Sequence, residues 1–371
     1  MATQKLSKEK MLEALEAVRQ CGSIRAAATM LGISRTTLQH RVSMGESQQL
    51  GTRALPAGTF GTSTLIDGNG NTVLQWVKQR HDKGPEEWAA AVKEAFADVD
   101  KPARIAKPVT PLRKDLLTVY PIGDHHVAMY AWGEEVGADY DIKISERLLV
   151  SAMSHLVDLS PPSEHALIVN VGDFFHVDNL KNETSRSGHT LDVDTRYAAM
   201  IRAGTKMLRM VIEKALSKHA KVTVFCEVGN HDDVGALWLS HALALLYDNN
   251  PRVFIETSPA KFHYYRHGKV LIGATHGDTG KPEKLHSVMA ADRPEDWGAT
   301  KFRYWLTGHV HHRSVLEFPG VMWETFRTLA PADAWARAAG YRSGRDMTCI
   351  VYHAEHGELG RHRFDASMVA A

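Results

Sequence analysis

The sequence predicts a mixed α/β protein with a small all-helical domain at its amino end. From about Leu116 onward, short apolar runs alternate with stretches of helical periodicity, as in strands wrapped by helices. Ahead of them, residues 1–45 divide into three short helical patterns separated by capping residues. Several of the apolar runs end in turns rich in Asp, His and Asn, the place where an open α/β sheet gathers its ligands.

In the first helical pattern Leu12, Leu15 and Val18 form one stripe. Ser23 is placed to cap a second helix carrying Ile24, Ala27, Ala28 and Leu31. Gly32-Ile33 makes a tight turn, and Ser34 caps a third helix that runs through Val42 and closes at Gly45. Residues 46–62 are polar and Gly-rich and read as a linker. Ser63–Ile66 and Thr72–Val77 flank Asp67-Gly68-Asn69-Gly70, a hairpin signal. A short helix follows with Trp88, Val92, Ala95 and Phe96 at helical spacing, a connecting element that packs on a neighbour. Pro102, Pro108 and Pro111 mark a second linker. The expected domains are therefore 1–45, a linker with a small hairpin and helix at 46–112, and a large α/β domain at 113–371.

Within that domain the expected buried strands are Leu116–Ile122, Ala166–Val171, Val222–Val228, Val270–Ala274 and Tyr304–Leu306. The longest helical pattern, Thr195–Lys218, repeats Tyr197, Ile201, Gly204, Leu208, Val211 and Ala215 along one face. Met347–His353 and Gly360–Phe364 read as strands closing the sheet. Each of the five buried runs ends in a polar turn: Gly123-Asp124-His125-His126, Gly172-Asp173-Phe174-Phe175-His176, Gly229-Asn230-His231-Asp232, Thr275-His276-Gly277 and Gly308-His309-Val310-His311. Any one of these is an ordinary polar loop. Five in order, each after a strand, describe one metal site.

Composition narrows the rest. Of 371 residues, 44% are hydrophobic and 23% charged, ordinary for a globular protein, and the net charge of +1 points to no partner. Cys21, Cys226 and Cys349 are far apart, odd in number and without CxxC spacing, which supports neither a disulfide framework nor a thiolate zinc site. Neither a signal peptide nor a membrane span is expected, so the protein is read as cytoplasmic with no membrane partner. The 21 histidines make chance matches easy, so the metal reading rests on ordered position at strand ends.

In content and order the five turns resemble the calcineurin-like metallophosphoesterase family, over roughly Leu116 to Phe364. The resemblance implies a four-layer α/β/β/α sandwich and two divalent ions, Mn first, with Fe and Zn as alternatives. It implies that Asp124, His126, Asp173 and His311 hold the first ion. Asp173, Asn230, His276 and His309 then hold the second, with Asp173 bridging. His231 lies beside a ligand without being one and is expected to protonate the leaving oxygen of a phosphoester, with Asp232 orienting it. His125 and His312 fall outside the pattern. Where the family usually continues Gly-Asp-x-x-Asp, this chain has His176, and Gly-Asp-x-Phe-His resembles the SbcD-type DNA-repair nucleases. His176 is then either a contact to the phosphodiester or a residue filling the strand end. Arg186, His189 and Arg196 are either phosphate contacts or parts of a solvated loop.

The segments Gly22–Ala28 and Leu31–Leu38 resemble the Fis-type helix-turn-helix. The resemblance implies a third helix presenting Ser34, Arg35, Thr36, Thr37, Gln39, His40 and Arg41 to DNA. Seven basic side chains in residues 1–45 face three acidic ones, a positive local balance. A small docking or dimerisation bundle is the alternative.

Together these readings give a metal-dependent phosphodiesterase acting on nucleic acid, a DNA nuclease targeted by its amino-terminal module. Two alternatives stand beside it: an enzyme for a small phosphoester or phosphoprotein, and a DNA-binding regulator built on a non-catalytic scaffold. A homodimer, an accessory subunit in place of a capping domain, and a bacterial or bacteriophage source are further expectations.

Overall fold

The computed structural model describes residues 7–47, 59–66, 72–79, 105–184, 188–340 and 342–369. Its contacts divide the chain into two units, Met1–Gly84 and Pro85–Ala371.

The first unit opens with three helices, α1 (Lys8–Cys21), α2 (Ile24–Met30) and α3 (Arg35–Ser47). Each begins at a serine whose hydroxyl accepts a backbone N–H: Ser7 from Lys10, Ser23 from Ala26 and Ser34 from Thr37. Their core is built from small side chains, Ala14, Ala17, Ala27 and Ala28, closed by Leu38 and Val42. Two expectations are corrected here. The buried stripe of α1 is Met11, Ala14 and Ala17, while Leu12 is 39% exposed. Leu15 and Val18 of the expected stripe do pack, partly buried, against this core, so Leu12 alone departs from it. Nor does Gly45 end α3, which continues to Ser47. A Cβ on Gly45 would stand 2.7 Å from Leu15 Cδ1, so this glycine serves the close crossing of α1 and α3 rather than a helix stop.

Strands β1 (Thr59–Ile66) and β2 (Thr72–Gln79) pair antiparallel, with Thr62 opposite Val77 and Leu65 opposite Leu74. The hairpin thus reaches back into the stretch read as linker. Its turn, Asp67–Gly70, and the helix expected around Trp88, Val92, Ala95 and Phe96 lie outside the described residues.

The second unit contains two facing sheets. One has six strands in the order β13-β12-β3-β4-β5-β6: β3 (Arg113–Ile122), β4 (Ser163–Asn170), β5 (Lys221–Cys226), β6 (Val253–Ile255), β12 (Asp346–His353) and β13 (Gly357–Asp365). The other has five in the order β10-β11-β9-β8-β7: β7 (His263–His267), β8 (Val270–Ala274), β9 (Phe302–Thr307), β10 (Ser314–Phe318) and β11 (Val321–Thr325). Strands β3, β4 and β5 are mutually parallel, as are β8 and β9. Parallel neighbours need crossovers, supplied by α5 (Ile142–Leu159) between β3 and β4 and α6 (Tyr197–Leu216) between β4 and β5. The short α4 (Gly133–Val136) precedes α5; α7 (Gly235–Leu246), α8 (Pro282–Asp292), α9 (Pro294–Ala299) and α10 (Ala334–Ala338) complete the helices named here.

Alternation along each strand builds the layers. Leu117, Val119, Leu167, Val169, Val171, Phe225, Ile350 and Tyr352 point between the sheets to meet Val270, Ile272, Ala274, Tyr304 and Leu306. The opposite faces, Tyr120, Ile122, Ala166, Ile168, Val222 and Val224, meet α5 and α6. On the far side Leu271 and Trp305 pack under Leu285 and Met289 of α8, and Trp305 Nε1 donates to the Leu285 carbonyl. The result is a four-layer α/β/β/α sandwich. Among the described residues no helix is long and apolar enough to cross a membrane.

Candidate metal centre at the carboxyl edge of the sheets

Strands β3, β4 and β5 of one sheet and β8 and β9 of the other end in the five polar turns. Because each group of strands is parallel, their carboxyl ends deliver Asp124 and His126, Asp173, Asn230, His276, and His309 with His311 to common ground. Two groups of closely spaced donors result, Asp124 with His126 and His311, and Asp173 with His276 and His309. A third group joins His126 to His176 and His231.

The turns are held in costly backbone. Five of the seven non-glycine residues found at positive φ are expected ligands: Asp124 (32°), His126 (48°), Asp173 (49°), His309 (69°) and His311 (54°). Left-handed backbone at such residues costs about 1–3 kcal/mol each and persists only where the surroundings impose it. Gly229 shows how tight the turns are. A Cβ there would lie 2.1 Å from Asp173 Oδ1 and 2.3 Å from its amide nitrogen, so only glycine lets the β5 turn close on the β4 turn.

Within the second donor group, His276 Nδ1 donates to the Val171 carbonyl at 2.9 Å. Its Nε2 then faces two acceptors, Asn230 Oδ1 at 3.0 Å and Asp173 Oδ2 at 3.3 Å. Burial pulls His276 down, but Asp173 and Asp124 prevail and raise its pKa to about 10. Burial likewise opposes ionisation of Asp173, and the charge on His276 overcomes it and lowers the carboxyl. In the first group His126 Nε2 and His311 Nε2 are 3.2 Å apart, and His311 Nε2 is 3.5 Å from Asp124 Oδ1. Burial, followed by His231, His311 and His176 nearby, pushes His126 well below its ordinary value and keeps it neutral, the form that ligates metal. Asp124 Oδ1 accepts the His309 N–H at 2.8 Å, while its Oδ2 is buried with no hydrogen-bond partner among the described residues.

These features fit a pair of divalent ions. A metal about 2.1 Å from each of two imidazole nitrogens holds them roughly 3–3.4 Å apart, which is the spacing of His126 and His311. The buried carboxylate oxygen of Asp124 left without a donor calls for a cation.

His231 is half-buried beside this centre. Its amide donates to Asp173 Oδ1 at 2.7 Å, and its ring Nδ1 donates to the His176 carbonyl at 2.9 Å. Asp232 does not play the part expected of it. Its carboxylate accepts the backbone N–H groups of Asp173, Phe174, Phe175 and Gly229, tying the β4 and β5 turns together, and the His231 ring is oriented by His176 instead. Asp232 is fully buried, whereas the half-buried ring of His231 lies edge-on to His126 at 4.9 Å. Burial and the charge of Asp173 push the Asp232 carboxyl upward, while the N–H donors favour its ionised form. His176 is buried, with Nδ1 3.2 Å from His126 Nδ1 and its ring stacked on His231 at 5.4 Å.

Reading the sequence missed Asp178. Its two oxygens accept the N–H groups of Val234 and Gly235 at 2.6 and 2.7 Å, clamping the start of α7 just beyond His231. Burial raises its carboxyl to about 6. The partners are 56 and 57 residues away, so no local pattern carries the signal. Of the residues left outside the motif, His125 is buried against Ser145, and burial lowers it to about 4. His312 is exposed and donates to the Val310 carbonyl. Arg196 and His189 are exposed, and Arg186 lies outside the described residues.

In the other unit Ser34, Arg35, Thr36, Thr37, Gln39 and His40 are exposed along the start of α3, and Arg41 is half-buried. Ser34 Oγ and Thr37 Oγ1 are 2.7 Å apart, closing the cap on themselves.

Residues 7–49 match the family model of the helix-turn-helix Psq domain. That is a helix-turn-helix, as expected, but the model matched is the Psq type and not the Fis type. None of the curated proteins matches the chain. Solved structures resemble it at low identity. One is a conserved uncharacterized protein from Streptococcus pneumoniae, described as a predicted phosphoesterase: 9% identity, 67% of this chain and 98% of that one, TM-score 0.28. Another is wild-type Vps29 complexed with zinc from Entamoeba histolytica, at 14% identity over 67% of this chain and 99% of that one, with TM-score 0.29. A single mutant of the same Vps29 gives 13% identity, 67% and 98% coverage and TM-score 0.30.

Proposed function

We propose that this protein is a dinuclear-metal phosphodiesterase that hydrolyses nucleic acid and is brought to DNA by its helix-turn-helix. The observation that carries the reading is the meeting of five strand-end turns at one carboxyl edge, with His276 Nε2 aimed at Asn230 and Asp173 and with Asp124 Oδ2 unsatisfied. Asp124, His126, Asp173 and His311 hold one ion; Asp173, Asn230, His276 and His309 hold the other. Mixed nitrogen and oxygen donors favour Mn, with Fe and Zn next. When bound, such ions supply Lewis acidity toward the phosphoryl oxygens and a nucleophile at neutral pH.

The chain's own residues do the rest. With Nδ1 committed to the His176 carbonyl, His231 keeps Nε2 to deliver a proton to the departing oxygen. His176 supports that ring by stacking and through its carbonyl, and we assign it as a positioning residue. Asp232 and Asp178 fix the turn on either side. The choice of nucleic acid is supported by the Gly-Asp-x-Phe-His turn, which resembles the SbcD-type nucleases, and by the helix-turn-helix with Arg35, Thr36, Gln39 and His40 outward. A dimer reading two half-sites is the arrangement such modules use.

The test is cleavage of labelled DNA, linear and circular, single- and double-stranded, with Mn or Mg, alongside His231→Ala and a chelator. We expect metal-dependent cutting that His231→Ala loses. Turnover of a small aryl phosphodiester with no cutting of any DNA would replace the nuclease by a small-molecule phosphodiesterase.

A further inference from the structure

Just beyond the first ligand turn the chain presents two large aromatic side chains to solvent. Met129 N donates to the His126 carbonyl at 3.0 Å, a turn that holds these Cα atoms within about 7 Å. The backbone then runs extended, with Met129 and Ala131 buried at 2% and 5% while Tyr130 and Trp132 are 47% and 51% exposed. Alternation puts both rings on one face, about 7 Å apart along the segment. Neither ring has a hydrogen-bond or ring partner among the described residues. The backbone beneath them is nevertheless fixed on both sides. Tyr130 N donates to the Asp192 carbonyl at 3.0 Å, and Ala131 exchanges both backbone bonds with Tyr140 at 2.9 and 3.0 Å. The neighbouring stretch pairs antiparallel, Val193 opposite Met129, and runs back toward the site to exposed Arg196.

We propose that Tyr130 and Trp132 are a stacking platform for unpaired nucleobases, so that the enzyme takes a single strand whose phosphodiester lies at the metal centre; this rests on the nuclease reading above. Exposed aromatic rings on rigid backbone stack on bases with little ordering cost, and every base offers a π-face. The guanidinium of exposed Arg196, further along the paired segment toward the His126 turn, suits a phosphate of the strand near the site. Paired bases in a duplex are stacked inside the helix and cannot reach these rings.

The experiment compares full-length wild type with Tyr130→Ala/Trp132→Ala and with Tyr130→Phe/Trp132→Phe. Substrates are a labelled single-stranded oligonucleotide, the same sequence as duplex, and an aryl phosphodiester. The alanine pair is expected to raise KM for the single strand about tenfold or more, and much less for the aryl diester. The phenylalanine pair, which keeps the π-faces, should restore most of the loss. In the wild type the oligonucleotide should also quench tryptophan fluorescence, and Trp132→Phe should remove part of that quench. Unchanged KM for the single strand in the alanine pair overturns the platform while leaving the nuclease standing. So does an equal defect in the phenylalanine pair, which means lost packing. Wild type that turns over the aryl diester but no strand overturns the nuclease reading, and the platform with it.

Discussion

The two ends of the same parallel strands bury histidines in opposite ways. At the amino end, His219 is enclosed with both ring nitrogens bonded, Nε2 to Tyr120 Oη and Nδ1 to Ser163 Oγ, each at 2.9 Å. Tyr120 continues to Ser160 at 2.7 Å and Ser163 to Thr118 at 2.9 Å. Cations close that edge: Lys218 donates to the carbonyls of Val157, Asp158 and Ser160. Arg252 donates to those of Ile105, Leu216, His219 and Ala220. At the carboxyl end, His126 crowds His311, His276 faces Asp173, five of the proposed ligands sit in left-handed backbone, and Asp124 Oδ2 has no partner among the described residues. One edge satisfies its polar groups and adds stability; the other leaves them wanting a cation and is poised for chemistry.

The sharpest break between the edges is expected from Asp173→Asn. It should abolish turnover and release bound divalent ion, read by elemental analysis of the purified protein, while the fold holds. Retained metal and activity would remove Asp173 from the centre. His231→Ala should lower kcat about 10²–10⁴-fold with metal content intact; a change confined to KM would count against proton delivery by this ring.

At the amino edge the effects fall on stability. Burial depresses His219 to about 4, against about 6.5 in an unfolded chain. Its contribution is therefore complete above pH 6.5 and is lost as pH falls toward 4. At about 1.4 kcal/mol per unit it amounts to at most about 3.5 kcal/mol. Denaturant unfolding of wild type and His219→Asn across that window should show a shallower acid slope in the variant, with turnover at neutral pH kept. Parallel slopes would place the acid sensitivity elsewhere. Smaller still, chelation should lower the melting temperature by the linkage of bound ion, about 2.7 kcal/mol at a hundredfold excess over Kd. No shift on chelation would mean that the folded carboxyl edge does not bind the ion.

Much of this organisation is legible along the chain because it is local. Runs such as Val270–Ala274, the serine caps at Ser23 and Ser34, and the order of the polar turns depend on neighbours within a few residues. Periodicity and spacing report those directly. Strand ends were less legible: β5 stops at Cys226, two residues short of the apolar run, because Glu227 and Val228 already belong to the turn.

Other features exist only once distant segments meet. Leu12 of α1 continues an apolar stripe on paper, yet the close crossing with α3 buries Met11, Ala14 and Ala17 and makes Gly45 a contact point. Asp232 and His231 are adjacent, but the fold turns one carboxylate onto four amides of two strand turns and hands the imidazole to His176. Asp178 meets the start of α7 across 56 residues. Motif spacing names the donors because each turn is short and follows its own strand. Their left-handed backbone, and the aromatic face beside them, come from packing two sheets face to face, where each turn's conformation is set by the others.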